Sequence, residues 1–197
     1  MTTVLDRPEV LPIDPIAQAI ADAEGLPQPL PAPDTAEPAA AKDFLIIDYS
    51  GDLEKIWATM ILVSTSAAMG VRTRVFVTFW GLPAFVKDSK RITGDNWMQK
   101  MLSFMQRPGI SHRKLSTMDF FGMGPWMMRK LAKQYGVASP KDLLEAAQAM
   151  GVEFLPCQMT MDMFGLKPED MIDGMGEPVG AATVIELMTT NSVPLFI

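Results

Sequence analysis

The chain reads as an α/β domain: a doubly wound, mainly parallel sheet of four or five strands with Rossmann- or flavodoxin-like topology, forming a single domain. Three adjoining stretches predict it. Phe44-Leu-Ile-Ile-Asp-Tyr49 is a continuous apolar run ending in Ser50-Gly51-Asp52, the pattern of a strand buried on both faces and followed by a turn. Leu53 to Met69 is apolar nearly all round and meets a stop at Gly70, which predicts a helix buried against a sheet. Arg74 to Phe79 is a second strand, broken by Trp80-Gly81-Leu82-Pro83. Strand, helix, strand at this spacing is a βαβ unit, so the strands are parallel and the crossover right-handed.

Ahead of this unit lies an arm, residues 1–43, with the α/β domain taking residues 44–197. The arm holds eight of the 16 prolines, no aromatic residue, and eight acidic against two basic side chains, a composition that predicts an extended, flexible segment. The remainder carries fifteen charges of each sign, so the whole net charge of -6 belongs to the arm. One piece of it has helical signals: Asp14-Pro15 as cap and first turn, Ile13, Ile16 and Ile20 at helical spacing, and Gly25 as stop. It is either a transient helix or a segment, Pro15 to Glu24, that docks on a neighbouring subunit or partner.

After the second strand the chain reads as helices and loops up to Val152. Trp97 to Gln106 is amphipathic, Pro125 to Gln134 starts at a proline, and Pro140 to Met150 follows a Ser139 cap. Gly122-Met123-Gly124 makes a hinge of the kind a lid needs. Val152, Phe154 and Leu155 form a short strand stopped by Pro156, and Gln158 to Phe164 is long enough for about two helical turns. A short helix near Pro168, turns at Asp173-Gly174 and Gly176, a helix over Val179 to Met188 and a strand over Pro194 to Ile197 complete the chain.

Composition excludes several function classes. A charge-balanced domain lacks the basic stripe that nucleic acid requires. One cysteine permits neither an internal disulfide nor a CxxC pair nor a cysteine-rich zinc site, and suits a reducing, cytoplasmic setting. Met1 to Val10 has no apolar core of a signal peptide. The longest uncharged run, Ile56 to Val71, is 16 residues and interrupted by Ser64, Thr65 and Ser66, too short and polar for a membrane span.

That cysteine, Cys157, is the candidate catalytic residue, because it sits where a strand ends and a helix begins. Unpaired N–H groups and the positive end of the helix dipole favour an anion there, and the thiolate is the nucleophile. The alternative is a buried structural cysteine. In an open parallel sheet, working residues gather at the carboxyl ends of the strands. Gly51, Phe79, Trp80 and Gly81 would then line a pocket facing Cys157, with Gln158 and Met159 supplying backbone N–H groups. The lone His112 lies outside these loops, so a Cys-His pair is weakly supported. The 17 methionines, among them Met159, Met161 and Met163, fill core gaps, form an adaptable partner-binding face, or hold Cu(I) with Cys157 through Met159 and Met161.

Thr78-Phe79-Trp80-Gly81, Gly122-Met123-Gly124, Cys157-Gln-Met-Thr-Met-Asp162 with Gly165, and the terminal Leu195-Phe196-Ile197 together resemble the DsrE/DsrF-like family of sulfur-relay proteins, in the subgroup labelled "peroxiredoxin family protein". The resemblance spans about Phe44 to Ile197. It implies a homo-oligomeric sulfur carrier or sulfurtransferase that holds sulfane sulfur as a persulfide on Cys157, without cofactor or resident metal. It also implies TusA-like and rhodanese-like partners and a heterodisulfide-reductase-like complex, in sulfur oxidation. Other branches use a second cysteine, which this chain lacks, so transfer must run between proteins. The peroxiredoxin label finds no support: Val152 and Phe154 stand where a peroxidatic cysteine would want proline and threonine. The competing readings are a non-catalytic scaffold and the Cu(I) protein.

Overall fold

The computed structural model describes residues 43–90, 107–117 and 119–197, with Trp97 and Gln99 between them. The arm, and all but those two residues of the helix expected over Trp97 to Gln106, lie outside the described residues. The elements are β1 (Asp43–Asp48), α1 (Leu53–Ala68), β2 (Thr73–Val77), α2 (Met123–Gln134), α3 (Pro140–Ala149), β3 (Glu153–Pro156), α4 (Gln158–Phe164), α5 (Ala181–Asn191) and β4 (Ser192–Phe196). The four strands form one sheet in the order β3-β2-β1-β4, every neighbouring pair parallel. The α/β class and parallel sheet expected from the sequence are therefore what the chain adopts.

Local chemistry explains most of the boundaries. Ser139 caps α3 by a complete capping box: its side chain accepts from the Asp142 amide while the Asp142 carboxylate accepts from the Ser139 amide. Helix α2 begins at Met123, two residues before the proline expected to open it, because Gly122 takes a left-handed φ of 91° and starts the turn itself. The terminal helix runs later than expected, over Ala181–Asn191, since Val179 is held in extended pairing with Cys157. At the amino edge of the sheet, the buried Arg74 of β2 bridges Asp43 of β1 (2.5 Å) and Glu153 of β3 (2.9 Å), pinning the register of three strands.

The two faces of the sheet are covered unequally. Ile46, Val75, Val77 and Phe154 meet Ile56, Met60 and Val63 of α1 and Leu144 and Ala147 of α3 in the larger core. Leu45, Phe76 and Cys157 pack on Val184, Leu187 and Met188 of α5 in a smaller one. The alternation of neighbours to opposite faces is the strand period of two. Helix α1 is buried against the sheet as expected, but not on every side: Ile61 and Leu62 remain exposed. Only one side of α1 reaches the sheet, and α2 covers its outer side incompletely, leaving an apolar groove of about 420 Å³ beside Trp57, Ile61 and Leu131. No helix among the described residues is long and apolar enough to cross a membrane.

Candidate functional site

Pro156 ends β3, and the Cys157 amide adds one more rung to the ladder by donating to the Val77 carbonyl at 2.9 Å. Cys157 then serves as the N-cap residue of α4, in extended backbone conformation (φ -76°, ψ 115°). Its side chain points to the α5 side of the sheet and is 5% exposed, although Gln158 and Met159 beside it are exposed.

The first amides of α4 can be accounted for one by one. Gln158 donates to the Val179 carbonyl at 3.0 Å, and Val179 in turn donates to Pro156 at 2.9 Å, so this segment runs along the outside of β3. The amides of Met159 and Thr160 are turned toward the sulfur, close enough to stabilise its charge without closing a cap hydrogen bond of good geometry. Two hydroxyls complete the set. Thr78, following β2, and Thr160, in α4, lie with their oxygens 3.1 Å apart, and both hydroxyls face the thiol closely enough to stabilise its charge. Burial pushes the Cys157 pKa up; the hydroxyls of Thr160 and Thr78 and then the Thr160 and Met159 amides outweigh it, and the net shift is below the ordinary thiol value.

The loop after β2 is tied to this arrangement. Phe79 donates its amide to Thr160 Oγ1 at 3.2 Å while holding a φ of 43°, a conformation that a non-glycine residue keeps only when its surroundings enforce it.

On the opposite face at the same edge, Asp48 closes β1. It is fully buried, and neither carboxylate oxygen has a hydrogen-bond partner among the described residues. The Ser50 amide faces it but does not close a well-formed bond, and burial raises its pKa to about 7. Gly81 lies against it: a Cβ there would stand 2.7 Å from the Asp48 carbonyl and 3.1 Å from Oδ1. Gly51 is packed as closely, with the Trp80 carbonyl 2.3 Å from where its Cβ would be. Glycine is required at both positions by close approach, not by φ.

Beyond these loops opens a cleft of about 890 Å³, bordered by Gly51, Trp80, Lys55 and the 107–116 segment. Neither Cys157 nor Phe79 is among its lining residues, so this cleft does not hold Cys157, Gly51, Phe79 and Trp80 together as expected. Gly51 and Trp80 border the cleft; Phe79, through its amide, belongs to the thiol's surroundings. The Trp80 ring also packs on Phe164 with centroids 5.9 Å apart. His112 borders the cleft, with Nδ1 3.1 Å from the Pro108 carbonyl and 3.5 Å from Asp88. Gln158 turns outward to bond the Asp162 carboxylate at 2.7 Å. Met161 is buried in the α1-side core, whereas Cys157 lies in the α5-side core and Met159 is exposed. The structure thus does not gather the thiol and the two thioethers invoked for Cu(I).

Sequence reasoning passed over Thr78, Thr160 and Asp48. The first two were accessible from pattern: Thr78 is two residues beyond Phe76 and shares its face, and Thr160 stands three after Cys157, the spacing at which a side chain turns back to the N-cap. Asp48 carried a weaker signal, as the one charged residue of an otherwise apolar run.

A parallel α/β sheet with a thiol at its carboxyl edge, faced by two hydroxyls and two amides, defines a small thiol-bearing α/β protein. The chain belongs to the DsrE/DsrF/DrsH-like family, whose model matches residues 40–196. It is 34% identical over 152 residues to the uncharacterized protein YrkE of Bacillus subtilis strain 168, covering 77% of this chain and 94% of that protein. It is 33% identical over 159 residues to the sulfur carrier protein DsrE2 of Allochromatium vinosum, covering 79% of this chain and 98% of that protein. Among solved structures, the ychN protein from E. coli matches with a TM-score of 0.45 and 13% identity, over 79% of this chain and 99% of that one.

Proposed function

We propose that this protein is a cytoplasmic sulfur carrier that holds sulfane sulfur as a persulfide on Cys157 and relays it between partner proteins in sulfur metabolism. The observation that carries the reading is the convergence of two hydroxyls and two amides on one thiol, which favours its anion. Family membership and the likeness to a protein named as a sulfur carrier support it.

In the first step the Cys157 thiolate attacks the outer sulfur of a donor hydropersulfide. A new S–S bond forms to Cys157 as the donor's S–S bond breaks, the donor leaves as its thiolate, and the proton stays with the transferred sulfur. An acceptor thiolate repeats the exchange and regenerates the Cys157 thiolate, so no external oxidant or reductant is consumed. With one cysteine in the chain, donor and acceptor are other molecules. TusA-like and rhodanese-like carriers and a heterodisulfide-reductase-like complex fit that requirement. Because the thiol is 5% exposed, exchange needs its cover to yield, and the Val179 segment, held to β3 by two hydrogen bonds, is the part we assign to move. The apolar groove between α1 and α2 supports self-association.

Incubation with polysulfide followed by intact mass measurement tests the reading. The native chain is expected to gain adducts of about 32 Da, one sulfur each, that dithiothreitol removes, and Cys157→Ser is expected to gain none. Native mass in the same run reads the subunit number, where a monomer alone removes the homo-oligomer. Equal adducts on both proteins, or none on either, would falsify the carrier reading, and the burial of Cys157 would then favour a scaffold.

A further inference from the structure

We propose that the outer face of α2 is a peripheral membrane-binding surface that docks on the headgroup region of an anionic lipid bilayer. A helix lying on a domain ordinarily turns its large apolar residues to the core and its polar ones to water. Helix α2 does the reverse. It buries Gly124 and Pro125 and half-buries Met128 and Ala132, whereas Met123, Trp126 and Met127 are 60%, 60% and 56% exposed. Met123, Trp126, Met127 and Lys130 recur at the spacing of one helix face, and the exposed Lys133 flanks them. Phe120, just ahead of the helix, is exposed as well. A contiguous apolar surface of this kind marks a site of interaction.

Charge identifies what it meets. From Phe120 to Lys141 the chain holds no Asp or Glu and four Lys or Arg residues, in a domain that otherwise carries both signs equally. Lys130 stands over the Trp126 ring, 5.1 Å from its centroid, and among the described residues neither it nor Lys133 forms an ion pair. An apolar stripe flanked only by cations complements a surface that is anionic outside and hydrocarbon beneath. Lysine stems lie along the apolar boundary while their ammonium groups reach the phosphates, and tryptophan favours that interface. A second copy of the same face would bring like charges together, which disfavours a dimer built on it.

Shape separates a bilayer from an acidic protein. Met123, Trp126, Met127, Lys130 and Lys133 border neither the cleft at the strand ends nor the groove between α1 and α2. This face therefore offers no recess for a partner's side chain; its own side chains are the ones that must enter something. A protein partner would need a groove cut to receive them, whereas a bilayer accepts them without one. At 12 residues, α2 is about 18 Å long, too short to cross the hydrocarbon core and suited to lying along its surface. The contact is peripheral, and none of it involves Cys157.

Co-sedimentation of the full chain with vesicles of phosphatidylcholine alone and of phosphatidylcholine with an equal part of phosphatidylglycerol tests the inference. Binding to the mixed vesicles is expected, at least about tenfold weaker to phosphatidylcholine alone, and weakened about fivefold by each of Lys130→Gln and Lys133→Gln. Brominated lipid in the mixed vesicles should quench the tryptophan fluorescence of the native chain. Trp126→Leu keeps an apolar side chain and should still sediment, but should lose most of that quenching. Cys157→Ser should bind as the native chain does, which separates this surface from the carrier reading. No sedimentation with the mixed vesicles, binding undiminished in both glutamine variants, or quenching unchanged in Trp126→Leu overturns the inference. Binding to poly-L-glutamate as tight as to the mixed vesicles, without quenching by brominated lipid, assigns the face to an acidic protein and overturns it as well.

Discussion

Cys157 and Asp48 occupy matched places: each closes a parallel strand at the carboxyl edge, with β2 between the two strands, on opposite faces of the sheet. Each is nearly or fully buried, and burial raises the pKa of both. Their outcomes differ because of donors. The thiol has hydroxyls from Thr78 and Thr160 and amides from α4, and ends below its ordinary value. The carboxyl has Gly81 against it and only a poorly aligned Ser50 amide, and ends at about 7. A buried acid at a strand end is thus pushed toward the anion or toward the neutral acid according to what the next loop turns toward it.

The largest effect should come from the carboxyl. Its folded pKa of about 7 exceeds the ordinary 3.8, so the native state binds the proton more tightly than the unfolded chain does. Stability from Asp48 is therefore fully present below about 4 and is lost as pH rises toward about 7. Urea unfolding at pH 5.5 and 7.5 should show the native chain losing about 2 kcal/mol more than Asp48→Asn over that interval. The same loss in both would mean that the carboxyl finds donors, and the contrast with Cys157 would disappear.

A smaller, kinetic effect isolates the donors on the other side. Thr160→Val removes one hydroxyl that faces the sulfur and should raise the thiol pKa, because a donor that favours the charged form is lost. Alkylation by iodoacetamide at pH 7 should slow by only about threefold, because the rarer thiolate is also more nucleophilic. At pH values above both pKa values the order should invert, the variant reacting faster. Rate profiles that superimpose would show that Thr160 does not hold the anion.

How much of this could be read in advance differs between scaffold and site. The βαβ unit, the Ser139 cap and the position of Cys157 at the start of α4 rest on signals within a few residues of each other, and the structure follows them. The partners of Cys157 mix local and distant: Thr160 is three residues away, but Thr78 is brought alongside only by pairing of β2 with β3. The cleft is the least legible part, because Gly51, Arg113 and Arg129 meet through loop packing, which leaves no periodic trace in the chain. The exposure of Ile61 and Leu62 was hidden for the same reason: composition predicts a helix that needs covering, but not how far α2 reaches over it.

The smallest expected effect tests whether the thiol's surroundings were made for a polar atom. Serine at position 157 would place a hydroxyl before the same Met159 and Thr160 amides and the Thr78 and Thr160 hydroxyls, and serine is among the best N-cap residues. The loss of a little volume against Leu45, Phe76 and Val184 works the other way. Cys157→Ser should therefore unfold in urea within about 0.5 kcal/mol of the native chain at pH 7, the two terms nearly cancelling. A loss of about 2 kcal/mol or more would instead mark the thiol as an apolar plug in the α5-side core, whose removal leaves a hole that the hydroxyl cannot fill. In that case the donors around Cys157 would be satisfying one another, and the anion they are argued to hold would lose its basis.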